Sequence, residues 1–97
     1  MATFVLLVNF TDQGIRNVKD TLKRAEAFVK TAQSLGVTVK EEYWTLGRYD
    51  IVIIVDAPDT AAVTALGLSV GALGNVRTQT LAAFSAEEMR GILGKLR

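Results

Sequence analysis

The sequence predicts an α+β fold in which strands and helices alternate as β-α-β-β-α-β, with one more helix at the C-terminus. Three observations carry this. Two strand-length runs, TFVLLVNF (3–10) and YDIVIIVDA (49–57), are apolar on both alternating faces, the pattern of strands covered on both sides. Each is followed by a longer segment of helical period and then by a half-polar segment of strand length. The half-polar segments suit sheet edges, so polarity ranks the first and third strands as central and the second and fourth as outer.

The first strand stays apolar until Asn9. In the helix that follows, apolar residues fall at Ile15, Val18, Leu22, Ala25, Val29 and Ala32, spacings of three and four that make one amphipathic face. Thr11 or Asp12 supplies its N-cap and Gly36 its C′ position; Asp20 and Thr21 are capping types too, which leaves open a break into a short piece and a longer one. In the second strand (37–46), Val37, Val39 and Tyr43 alternate with Thr38, Lys40 and Glu42. The third runs from Ile51 to Val55 without a polar residue. Pro58 is expected as a first helical residue with Asp59 in the first turn, and the helix should run to Leu73 with Gly74-Asn75 as its stop. Gly67 and Gly71 share a face of that helix and would let it approach the sheet closely, at a propensity cost of about 1 kcal/mol each. The last strand (75–84) is rich in threonine, and Ser85-Ala86-Glu87-Glu88 has the form of a capping box opening a short helix with Met89, Ile92, Leu93 and Leu96.

This order is the split βαβ, ferredoxin-like plan, in which the first and third strands are central. In such a unit both helices cover one face of the sheet. Yet Val5 and Leu7 oppose Phe4, Leu6 and Val8, and Val52 and Ile54 oppose Ile51, Ile53 and Val55, so one set on each strand has no helix above it. An exposed aliphatic surface on the order of several hundred Å² marks an interface. The expectation is a homodimer or higher homo-oligomer formed through the open sheet face, closing a dimeric α/β barrel. The competing arrangement is a C-terminal helix folded under the sheet.

A chain of 97 residues is the size of one domain, here expected over 1–97. With 49% hydrophobic and 22% charged residues it is globular in composition. A net charge of +1 supplies no field for a polyanion, so no nucleic-acid partner is expected. The longest apolar stretch, 61–73, is too short and too rich in glycine and serine to span a bilayer, and the first apolar run has no basic segment before it; no membrane partner and a cytoplasmic location are expected. The chain contains neither cysteine nor histidine, which removes disulfides, Ser-His and Cys-His nucleophiles, ordinary zinc sites and His-ligated haem. The carboxylates lack metal-loop spacing: Glu41 and Glu42 point to opposite faces, while Asp56, Asp59, Glu87 and Glu88 stand at helix starts. Neither a metal nor a cofactor is expected.

Three segments, NFTDQGIRNVKDT (9–21), YWTLGRYDIV (43–52) and GALGNVRTQTLAAFS (71–85), make the chain resemble the GYD domain family, whose Gly-Tyr-Asp signature stands here as Gly47-Arg48-Tyr49-Asp50. The resemblance spans nearly the whole chain and implies a ferredoxin-like protein related to the dimeric α/β barrels, with no activity attached.

As structure, Gly47 supplies a positive φ to a tight hairpin with Arg48 at its tip, Asp50 accepts turn N–H groups, and Tyr49 lays its ring over the core edge. As a site, Tyr49 and Asp50 line the mouth of a pocket as donor and as base or orienter. Asn9, Trp44, Tyr49 and Arg77 match, by analogy with cofactor-free oxygenases of the related barrels, the side-chain types that bind an aromatic substrate. Arg77 shares a face of the last strand with Gln79 and is a candidate for a carboxylate or phosphate, or for pairing with Asp50 or another subunit. Arg16, Lys19, Lys23, Arg24 and Lys30 on the first helix read as a solvated face, with Glu26 four residues before Lys30. The leading expectation is a homo-oligomeric binding or assembly module without catalytic machinery. The alternative is a cofactor-independent oxygenase or isomerase acting on a small hydrophobic or aromatic molecule in a barrel pocket.

Overall fold

The computed structural model describes all 97 residues. In chain order the elements are β1 (Ala2–Phe10), α1 (Asp12–Arg16), a 3₁₀ turn (Val18–Asp20), α2 (Thr21–Ser34), β2 (Thr38–Trp44), β3 (Ile51–Ala57), α3 (Thr60–Gly71), β4 (Val76–Ala83) and α4 (Ala86–Leu93). The strands form one antiparallel sheet of order β2-β3-β1-β4, the arrangement of the ferredoxin-like plan. The two apolar runs are its centre and the half-polar strands its edges, as their polarity predicts. Phe4, Leu6 and Val8 of β1 and Ile51, Ile53 and Val55 of β3 are buried on the helix-covered side, where Phe28 and Ala32 of α2 and Val63 and Leu66 of α3 complete the core.

The first helix does break. Thr11 caps α1 by accepting the Gly14 N–H at 3.1 Å, and Gly36, at φ +74°, follows the C-cap of α2. The expected apolar face, however, splits with the helix: Ile15, Val18 and Leu22 are 52%, 38% and 65% exposed. A 3₁₀ turn advances three residues per turn instead of 3.6, so the phase of α1 is not carried into α2. α1 meets the rest of the chain through its backbone, with the Thr11 N–H donating to the Asn75 carbonyl at 3.0 Å and Gly14 buried against the same group. On α2 the buried side chains are Phe28 and Ala32; the predicted spacing missed Phe28. Nor does Glu26 pair with Lys30, since the chain's one ion pair is Lys40 with Asp56 at 3.6 Å.

α3 is shorter at both ends than its sequence signals predict. Asp59 is its N-cap, accepting the Ala62 N–H at 2.8 Å, so Pro58 lies outside the helix, which ends at Gly71 rather than Leu73; Gly74 takes φ +86° in the turn that follows. Gly67 does pack closely, for a Cβ there would meet Thr78 Oγ1 at 3.4 Å, whereas one on Gly71 would meet nothing within 4 Å.

β2 carries a bulge between Val39 and Glu41. One extra residue flips the alternation beyond it. Tyr43, expected on the face of Val39, pairs instead with Val52 on the open side, and Glu42 and Trp44 pair with Ile53 and Ile51 on the helix side.

The open face holds the half-buried side chains of Val5, Leu7, Val52 and Ile54, bordered by Leu81, 48% exposed. At one end Thr3 Oγ1 donates to Asp56 Oδ1 at 3.0 Å, and along β2 the Tyr43 hydroxyl donates to the Glu41 carboxylate, which raises the phenol's pKa. α4 does not fold beneath this face. Its capping box is complete, with Ser85 Oγ accepting from Glu88 N at 3.1 Å and Glu88 Oε1 from Ser85 N at 2.9 Å, but it buries no residue and leaves Met89 and Leu93 exposed.

Candidate functional site

The Gly-Arg-Tyr-Asp segment lies in the connection between Trp44 and Ile51, longer than a tight two-residue hairpin. Gly47 takes φ +122°, a conformation L side chains rarely adopt. The Thr45 N–H donates to the Asp50 carbonyl at 2.8 Å and the Thr45 hydroxyl to the Tyr49 carbonyl at 2.6 Å, closing the loop. Asp50 then fastens it to the sheet. Its N–H donates to the Val8 carbonyl and its Oδ2 accepts the Phe10 N–H, both at 2.8 Å, so the carboxylate serves the central strand rather than its own turn. Asn9 Nδ2 donates to the Arg48 carbonyl at 2.7 Å; the helix cap beyond it is Thr11.

Tyr49 reaches from this loop across the open side of the sheet, its hydroxyl donating to Gln79 Oε1 on β4 at 3.2 Å. Asn9 and Arg77 are cross-strand partners on the same side. The structure therefore gathers Asn9, Tyr49 and Arg77, with Gln79, into a polar strip at one end of the apolar open face. Arg77 forms no ion pair within the chain, with Asp50 or any other group. Trp44 is not part of this strip. It lies on the helix side, where its indole N–H donates to Thr21 Oγ1 at the start of α2, at 3.0 Å.

Beneath the helices is a cavity of about 400 Å³, walled by α2 from Thr21 to Thr31, the end of α3 and the adjoining strand ends. Val8, Ile51 and Ile53 lie on its sheet side and Phe28, Val70 and Leu73 on its helix side. Its charged residues are Glu42 and Arg24. Arg24 is not a solvated cation: its guanidinium donates to the carbonyls of Asn17 at 2.9 Å and Gly14 at 3.3 Å, holding the broken helix start in place. Glu42, half-buried, makes neither a hydrogen bond nor an ion pair within the chain while its carboxylate oxygens keep contact with solvent, and desolvation raises its carboxyl above the ordinary value. Sequence reasoning missed Glu42 because the bulge that turns it inward leaves no mark in the apolar pattern, and it placed Arg24 on a solvated face because the two carbonyls it binds belong to the broken helix start. Nowhere do three carboxylates converge, and no helix is long and apolar enough to cross a membrane.

An antiparallel four-stranded sheet with helices on one side and a polar strip at the end of the other defines an α+β domain of ferredoxin-like topology. Residues 4–93 match the model of the GYD domain, and the chain belongs to that family. It is 34% identical over 90 residues, 92% of this chain and 95% of the relative, to the "Glutamine synthetase and cystathionine beta-lyase binding protein" of Thermus thermophilus. It is also similar to the crystal structure of the protein TTHA0845 from Thermus thermophilus, with a TM-score of 0.57 and 27% identity, covering 89% of this chain and 96% of that one.

Proposed function

We propose that the protein is a self-associating binding module, a single domain over residues 1–97 whose copies pair through their open sheet faces to close an α/β barrel and whose assembled form docks on other proteins. The observation that carries this is the open face itself: Val5, Leu7, Val52 and Ile54 form a continuous aliphatic surface that no helix of the chain covers. Burying such surface contributes about 25 cal/mol per Å², and a two-fold axis lets one patch complement itself. Arg77, unpaired within the chain, and the exposed Met89 and Leu93 of α4 add groups that an assembly would engage. Protein partners are supported by the name of the Thermus thermophilus relative, which makes glutamine synthetase and cystathionine β-lyase the first enzymes to test. Tyr49 and Asp50 act here as structure, tying the loop to β4 and β1.

Equilibrium sedimentation tests the assembly. The expected result is a dimer or larger species at micromolar concentration, dissociated by Leu7→Arg with Ile54→Arg while the circular dichroism of the fold is kept. A wild-type monomer under those conditions overturns it. Co-purification of the wild-type chain with the two enzymes from its own source, absent for the paired arginine variant, tests the docking.

A further inference from the structure

The cavity beneath the helices lies on the side of the sheet opposite the open face, so it stands apart from the assembly reading. We infer that it is a binding site for a small amphipathic cation, a primary amine on an aromatic or branched aliphatic body, with the ammonium paired to Glu42 and the body lodged against Val8, Phe28, Ile51 and Val70.

Size and lining come first. A volume of about 400 Å³ falls within the range of small-molecule sites, and ten of its 17 lining residues are hydrophobic. Charge then selects the ligand. Of the two charged side chains there, Arg24 already spends its guanidinium on the carbonyls of Gly14 and Asn17. Glu42 has no partner at all, and Lys40, two residues earlier, is engaged with Asp56 on the other side of the sheet. The Glu42 carboxylate, half-buried at the wall of an apolar cavity, gives up part of its hydration and gains no partner within the chain. An ammonium group supplies that partner through a charge-assisted hydrogen bond. An anion would face the same carboxylate with the same sign, and a neutral hydroxyl would give it a hydrogen bond but leave its charge without a counter-ion as the ligand displaces water.

The structure also contains its own reporter. Trp44 donates to the hydroxyl of Thr21, and Thr21 lines the cavity, so occupancy should alter the emission of the chain's single tryptophan. The probe is 2-phenylethylamine, with 2-phenylethanol and 3-phenylpropionate as its neutral and anionic counterparts, titrated into the full chain by Trp44 fluorescence and calorimetry. Saturable binding of the amine, at least about tenfold tighter than of either counterpart, is expected. Glu42→Gln should remove that preference with the melting transition retained, and Ser69→Phe, which fills the cavity from α3, should abolish binding in a chain that keeps the charge. No saturation by about 10 mM amine, equal affinity for the alcohol, or an undiminished preference in Glu42→Gln each overturns the assignment.

Discussion

Gly14 faces the Asn75 carbonyl so closely that a Cβ at position 14 would stand 1.9 Å from its oxygen. That contact joins the start of α1 to the turn before β4, alongside hydrogen bonds from Thr11 to the carbonyls of Asn75 and Gly74 and from Gln13 to Leu73 and Asn75. Because the opposing atom is backbone, it cannot rotate away. Gly14→Ala should therefore destabilise by about 2–3 kcal/mol or more, the cost of overpacking against a fixed wall. Gly71→Ala, with nothing near its added methyl, should stabilise by up to about 1 kcal/mol through helix propensity. Urea unfolding of the two variants should show shifts of opposite sign.

Asp50 is read as a structural acceptor for the Phe10 N–H. Asp50→Ala should cost about 1–3 kcal/mol, the penalty for leaving that donor unpaired, and Asp50→Asn less because it keeps an acceptor oxygen. Tyr49→Phe, which removes a single hydrogen bond to Gln79 near the surface, should stay within about 0.5 kcal/mol. Equal losses for Asp50→Ala and Tyr49→Phe in equilibrium unfolding would contradict this division of labour.

Glu42 inverts the usual acid behaviour. Its folded-state pKa is raised above 4.5 by desolvation, so the native chain holds this proton more tightly than the unfolded chain does. Its contribution to stability is fullest below the unfolded value and is lost as pH rises through the folded-state pKa. Glu42→Gln should raise the Tm at about pH 7 and change it little at about pH 4, where the carboxyl is largely protonated in both states. Thermal melts at the two pH values check this, and a lower Tm for the variant at neutral pH would refute it.

α4 is held by its capping box and by little packing, Ile92 being only half-buried. Ser85→Ala should cost the helix about 1 kcal/mol and lower amide protection over residues 86–93. The global unfolding midpoint of the monomer should hardly move, since α4 buries no side chain. Hydrogen exchange read residue by residue separates the two effects.

Much of this architecture was legible in the residues. Strand order followed from polarity because a central strand must satisfy two apolar faces and an edge strand only one, as β1 and β3 against β2 and β4 illustrate. The caps at Thr11 and Ser85 and the positive φ of Gly36 and Gly47 were legible because they depend on a few neighbouring atoms. The candidate site was legible only in part. Asn9, Tyr49 and Arg77 do share a side of the sheet, but Trp44 does not, because one bulge residue upstream reversed its face.

By itself, then, the sequence determined the element order, the central pair of strands, their apolar character on both faces and the absence of histidine and cysteine chemistry. Only the tertiary structure decided that α1 and α2 lose phase, that α4 stands clear of the sheet, and that Glu42 turns toward a cavity without a partner. The physical reason is range. Periodicity and capping are set within a few residues, whereas a bulge, a glycine pressed on a distant carbonyl and a carboxylate's surroundings depend on segments brought together only when the chain closes.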